Sequence, residues 1–167
     1  SANFKNTVNG EENLYAGYGI LTNGTLNIQS GTVSGYYGVF ASGNAAAVTL
    51  SSGKVTGTRI GMVINAGAQF TMNDGTVEAP WAVNIGNNSP NYRTTANISG
   101  GTITGTNTGI EINANKAPLG ENETLKSKNA YPVQVTVSGD ANISGLCGVT
   151  LWGKGAELTV NGGTIEG

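Results

Sequence analysis

Residues 48–57 read VTLSSGKVTG, and residues 70–79, beginning 22 positions later, read FTMNDGTVEA. The two share few letters, yet apolar residues, short polar residues and glycine recur at matching places. Setting the rest of the chain in the same register adds LNIQSGTVSG from Leu26, ANISGGTITG from Ala96, VTVSGDANISG from Val135 and LTVNGGTIEG from Leu158. The starts lie 22, 22, 26, 39 and 23 residues apart, so a period of about 22 is interrupted by two insertions. A repeat of this length marks a unit that cannot bury its apolar face alone and must stack on its neighbours.

A second block alternates with the first: GYGILTN, YYGVFAS, RIGMVIN, PWAVNIG, NTGIEIN and LCGVTLW. Each unit therefore holds three short extended runs divided by Gly, Asn or Ser, as strands bounded by turns require. Strand side chains alternate between faces, which assigns the columns. In the first run Leu26/Ile28, Val48/Leu50, Phe70/Met72, Ala96/Ile98, Val135/Val137 and Leu158/Val160 point inward. In the second run Val33, Val55, Val77, Ile103, Ile143 and Ile165 do so, and in the third Val39/Ala41, Met62/Ile64, Val83/Ile85, Ile110/Ile112 and Val149/Leu151. No stretch shows the apolar spacing of an amphipathic helix, and β-branched residues fill the core positions. The expected fold is all-β: a right-handed single-stranded parallel β-helix, or β-solenoid, with about 22 residues and three short strands per coil and roughly 6–7 coils. Glycine at the recurring corners tolerates the backbone angles that tight turns need, so the repeated pattern specifies shape rather than chemistry.

The units SGTVSG…GVFAS and SGGTITG…GIEINA resemble those of right-handed parallel β-helix proteins of the pectate-lyase-like class. Among these they are most similar to the Gly/Thr/Asn-rich repeats of secreted bacterial surface proteins and adhesins. The resemblance covers residues 17–167. It implies a bacterial, secreted or cell-surface setting, with residues 1–167 a single β-helix domain forming a fragment of a longer surface protein. It implies no particular activity, because this fold hosts lyases, hydrolases, adhesins and phage tailspikes.

Composition narrows the chemistry. The chain has no histidine, a net charge of -2 and one cysteine, Cys147. Its basic residues are scattered apart from Lys126 and Lys128, which leaves no groove for nucleic acid. No run of about 18 apolar residues is present to cross a membrane as a helix. Neither a metal site nor a cofactor is expected. Glu78 and Glu166 project outward about three coils apart, Glu111 has no acidic neighbour in its column, and Asp74 sits at a turn. Lys54, Arg59, Asp74 and Glu78 fall on adjacent coils, where cross-strand ion pairing accounts for them as well as catalysis would. The outward second-strand threonines would form a ladder of the ice-binding kind, but Lys54, Glu78 and Glu166 interrupt it.

Candidate ligand-binding residues are the polar-tipped aromatics and one cation: Tyr18, Tyr36, Tyr37, Arg59, Trp81, Tyr92 and Trp152. In register, Tyr18, Tyr37, Ile60, Trp81, Thr108 and Cys147 share one corner, with Arg59 beside it. Leu21, Phe40 and Val63 form a second, apolar patch facing outward on the third strand. The insertions, residues 86–95 and 115–134, are expected as surface loops, with ENETLKSK as a short helical turn. The final GGTIEG carries no polar cap, which predicts further coils, a capping domain or self-association, end to end or lateral. These features favour a non-catalytic surface module for adhesion or glycan binding, its partner a polysaccharide or a host surface protein. The alternatives are a polysaccharide-active lyase or glycosidase and a purely structural stalk.

Overall fold

The computed structural model describes residues 6–8, 11–13, 17–89, 91–114 and 132–167; of residues 6–8 and 11–13 only the strand pairing is described. That pair, β1 (Asn6–Val8) and β2 (Glu11–Asn13), is antiparallel. Fourteen strands follow: β3 (Tyr18–Thr22), β4 (Thr25–Ile28), β5 (Thr32–Ser42), β6 (Ala47–Leu50), β7 (Lys54–Asn65), β8 (Gln69–Met72), β9 (Thr76–Gly86), β10 (Thr94–Ile98), β11 (Thr102–Asn113), β12 (Val133–Val137), β13 (Asn142–Ser144), β14 (Cys147–Trp152), β15 (Ala156–Val160) and β16 (Thr164–Glu166). All of these pair in parallel with the equivalent strand one coil away. One sheet stacks β4-β6-β8-β10-β12-β15, and the other stacks β3-β5-β7-β9-β11-β13-β16, with β14 on β11. The result is a β-solenoid of about six turns with about 23 residues per turn.

The second and third runs of the repeat are joined more closely than three separate strands would be. In β5, β7, β9 and β11 they form one strand of 11 or 12 residues that bends at a corner without leaving the ladder. The register shifts locally at that bend, between Gly35 and Tyr37 and between Gly105 and Thr108. Only in the coil that begins with β12 do the runs separate, as β13 and β14.

The inward columns follow the alternation of the sequence. Val33, Val55, Val77, Ile103, Ile143 and Ile165 pair in succession along the axis, as do Leu26, Val48, Phe70, Ala96, Val135 and Leu158. Most of these side chains are fully buried, forming one continuous apolar core. At about 25 cal/mol per Å² of apolar surface removed from water, this core is the main stabilising term. In the last coil Leu151 and Val160 keep the inward register but are exposed, because no strand covers them.

The corner between first and second runs is uniform over four successive coils. Gly31, Gly53, Gly75 and Gly101 have φ between 81° and 96° there. The carbonyl of each accepts a 2.9 Å hydrogen bond from the next coil, donated by the amides of Lys54, Thr76, Thr102 and Asn142.

Candidate functional site

The bend between second and third runs is built differently. It lies between two small residues, as G-YY-G (35–38), G-TRI-G (57–61), A-PW-A (79–82), G-TNT-G (105–109) and G-LC-G (145–148). The flanking positions are kept small by close approach. A Cβ on Gly38 would stand 2.5 Å from the carbonyl oxygen of Gly61, and one on Gly61 would stand 2.6 Å from that of Ala82. The residues between them are free of that constraint, and there the sequence varies.

Those variable residues line up. Tyr18 pairs with Tyr37, Tyr37 with Ile60, Ile60 with Trp81, Trp81 with Thr108, and Thr108 with Cys147. The column expected from the repeat register is therefore present, six strands deep and roughly 24 Å long at about 4.8 Å per rung. At its first end the rings pack on one another. Tyr18 stacks on Tyr37 at 5.4 Å between centroids and 21° between planes, and Tyr36 meets Tyr37 edge-on at 5.0 Å. Phe40 presents its edge to both Tyr18 and Tyr37, at 5.4 and 6.2 Å. Such pairs contribute about 0.5–1.5 kcal/mol each beyond their burial.

Arg59 closes the cluster from the next coil. Its Nη1 donates a 2.9 Å hydrogen bond to the Tyr36 hydroxyl, and its guanidinium carbon lies 6.0 Å from the centre of that ring. Arg59 is exposed, Trp81 is half-buried, and Tyr18 keeps 44% of its surface in solvent. The corner thus presents aromatic surface with one hydrogen-bonded cation on a backbone held by ladders on both sides.

The other two aromatic candidates lie apart from it. Tyr92 belongs to the short insertion and packs over Gly67, where a Cβ would collide with its own. Trp152 ends β14 opposite Asn113 of β11, at the far end of the third run, and is 53% exposed. The structure therefore gathers Tyr18, Tyr36, Tyr37, Arg59 and Trp81 along one corner and leaves Tyr92 and Trp152 outside.

The outward apolar column differs from its expected form, whereas the charged quartet shows the expected cross-strand ion pairing. Leu21, Phe40 and Val63 share an outward column as expected, but Val63 is only 7% exposed and Phe40 is occupied by the two tyrosine rings. Leu21 alone is open, so no broad apolar patch exists there. Of the charged quartet, Lys54 Nζ and Glu78 Oε2 form a 2.6 Å ion pair between β7 and β9, on the diagonal of the pairs Lys54/Thr76 and Thr56/Glu78. Asp74 serves its turn, its Oδ1 accepting the Gly75 amide at 2.7 Å. Glu111 accepts a 3.5 Å contact from Asn113 Nδ2. Among the described residues no group of three or more Asp, Glu or Cys is arranged to hold a metal ion. The ENETLKSK segment and most of the long insertion lie outside the described residues.

One organising residue gave no sequence signal beyond an ordinary turn composition. Asn87, in GNNS, is 3% exposed and bonds across both insertions. Compared with family models, with curated proteins and with solved structures, the chain matches none, so what is shown of its kinship is the architecture itself, a parallel β-solenoid repeat protein.

Proposed function

We propose that this β-solenoid is a non-catalytic module of a secreted or cell-surface bacterial protein, serving adhesion by binding a glycan along its second corner. The observation that carries the reading is the column Tyr18, Tyr37, Ile60 and Trp81 with Arg59 beside it. Aromatic faces take up the apolar faces of sugar rings, and a rigid scaffold displays them without ordering cost at the moment of binding. The setting rests on the resemblance of the repeats to bacterial pectate-lyase-like surface proteins.

A second reading, a structural stalk, is favoured by one specific feature. Tyr37 is packed by three rings, those of Tyr18, Tyr36 and Phe40, as in an aromatic seam that stabilises the corner. The deciding experiment is a glycan-array screen of the wild type, with calcium and with chelator, beside Tyr18→Ala and Trp81→Ala. The glycan-binding reading expects binding that both substitutions abolish in proteins that remain folded, with Tyr18→Ala lowering the melting temperature only by the loss of its two ring contacts. Binding to acidic sugars only with calcium would point instead to a polysaccharide-active protein. No binding by the wild type would leave the stalk.

A further inference from the structure

Asn87 sits where both insertions meet the ladder, and the corner column does not use it. Its carboxamide nitrogen donates to the carbonyl of Tyr92 at 2.6 Å and to that of Pro132 at 3.0 Å. Its Oδ1 accepts the Ser89 amide at 2.9 Å. Both N–H groups and the carbonyl oxygen of this 3% exposed residue are thus engaged. Tyr92 and Ser89 belong to the short insertion. Pro132 is the last residue before β12, where the chain returns from the long one.

Pro132 has no amide hydrogen, so its carbonyl is its sole backbone hydrogen-bonding group. That carbonyl also accepts the Thr94 amide at 3.1 Å, the first rung between β10 and β12. The Asn87 side chain therefore adds one more rung to the sheet just before the ladder begins, bridging two segments 45 residues apart in sequence. Other bonds tie the same bases: the Gly67 amide donates to Thr94 Oγ1 at 2.9 Å, the Thr95 amide to the Ala68 carbonyl at 3.2 Å and the Val133 amide to the Gly155 carbonyl at 2.9 Å. Asn88 donates to Asn65 Oδ1 at 3.2 Å, and Arg93 Nη1 donates to Gln134 Oε1 at 3.3 Å on the exposed surface.

We infer that Asn87 is a latch that makes the bases of the two insertions one cooperative unit, so that opening either one loosens the other. The latch goes beyond the glycan reading and does not depend on it. Its consequence is that a ligand ordering the Tyr92 segment also orders the return at Pro132, because both draw on the same side chain.

Amide hydrogen exchange tests this on the intact chain. In Asn87→Ala the Ser89 and Thr94 amides should exchange about tenfold faster or more, while the amides of β8 keep their protection. A rise at Ser89 with Thr94 unchanged would overturn the latch, and so would a uniform rise through β8, which reports loss of the whole fold. Asn87→Asp supplies a control of the same size. Its carboxylate accepts the Ser89 amide but donates to neither carbonyl, whereas its neutral acid donates to one. One O–H cannot bridge two carbonyls, so Thr94 protection in Asn87→Asp should stay below that of wild type at every pH. Wild-type protection of Thr94 in a folded Asn87→Asp protein would equally defeat the proposal.

Discussion

The two corners that open and close the second run teach different lessons. At the first, glycine recurs in the left-handed region, from Gly31 to Gly101, and each glycine carbonyl repeats one 2.9 Å bond to the coil above. The glycine is held through these four coils because backbone meets backbone, and only the next coil departs, with Ala141 accepting the equivalent bond from Thr164. At the second, two and three residues alternate between the small flanks (YY, TRI, PW, TNT, LC), and each change of length appears as a local register shift. The ladder absorbs the extra residue as a bulge and resumes. One corner propagates the solenoid, and the other displays side chains on it.

Substitutions can break that contrast. The largest effect is expected at the three-residue bends, which close back on themselves. A Cβ on Gly57 would overlap the carbonyl of Ile60 in the same bend. Gly57→Ala should lower the unfolding free energy by about 3 kcal/mol, read from the denaturation midpoint at unchanged slope. The two-residue bend at 79–82 is more tolerant, since Ala79 already occupies the flanking position that pairs with Gly105. At the uniform corner Gly75 has φ 96°, and an added Cβ would lie 2.9 Å from the Gly53 carbonyl. Gly75→Ala should cost about 1–2 kcal/mol in the same measurement.

Between the flanks the expectation reverses. Arg59→Ala removes an exposed side chain that donates a hydrogen bond to the Tyr36 hydroxyl. It should shift stability by less than about 1 kcal/mol while weakening any ligand held at the corner, a split that melting and binding curves resolve. The Lys54–Glu78 pair, at 43% and 47% side-chain exposure, should contribute about 0.5 kcal/mol or less, and Lys54→Ala should become neutral in 1 M salt. The smallest change concerns the third bend, where Ala66 holds φ 56°. Ala66→Gly relieves that strain at some entropic cost, and should raise the melting temperature by a degree or so, reflecting a few tenths of a kcal/mol.

How much was legible follows from what repeats. Val33 to Ile165 could be placed on one inward line because strand alternation and a 22-residue period leave a single register that buries them all. The alignment of Tyr18, Tyr37, Ile60, Trp81, Thr108 and Cys147 came from the same register, and each of its pairings is present. Outward residues were harder to judge. Val63 and Leu21 occupy one column, yet the first is buried and the second open, because coverage of an outward position depends on its neighbours and not on its place in the repeat. Asn87 was illegible for a related reason: its partners, Tyr92 and Pro132, become neighbours only after two insertions have folded back to the same corner.

The amino-acid sequence by itself determined the coil, the inward columns and which residues share a rung, since these depend on alternation and period alone. Tertiary structure decided the rest. It made the second and third runs one bent strand, it packed Tyr18, Tyr36, Tyr37 and Phe40 into a ring cluster with Arg59 hydrogen-bonded to it, and it gave a turn asparagine the task of joining two insertions. The physical division is between periodic backbone pairing, which a one-dimensional pattern encodes, and side-chain contacts between coils, which exist only once the coils are stacked.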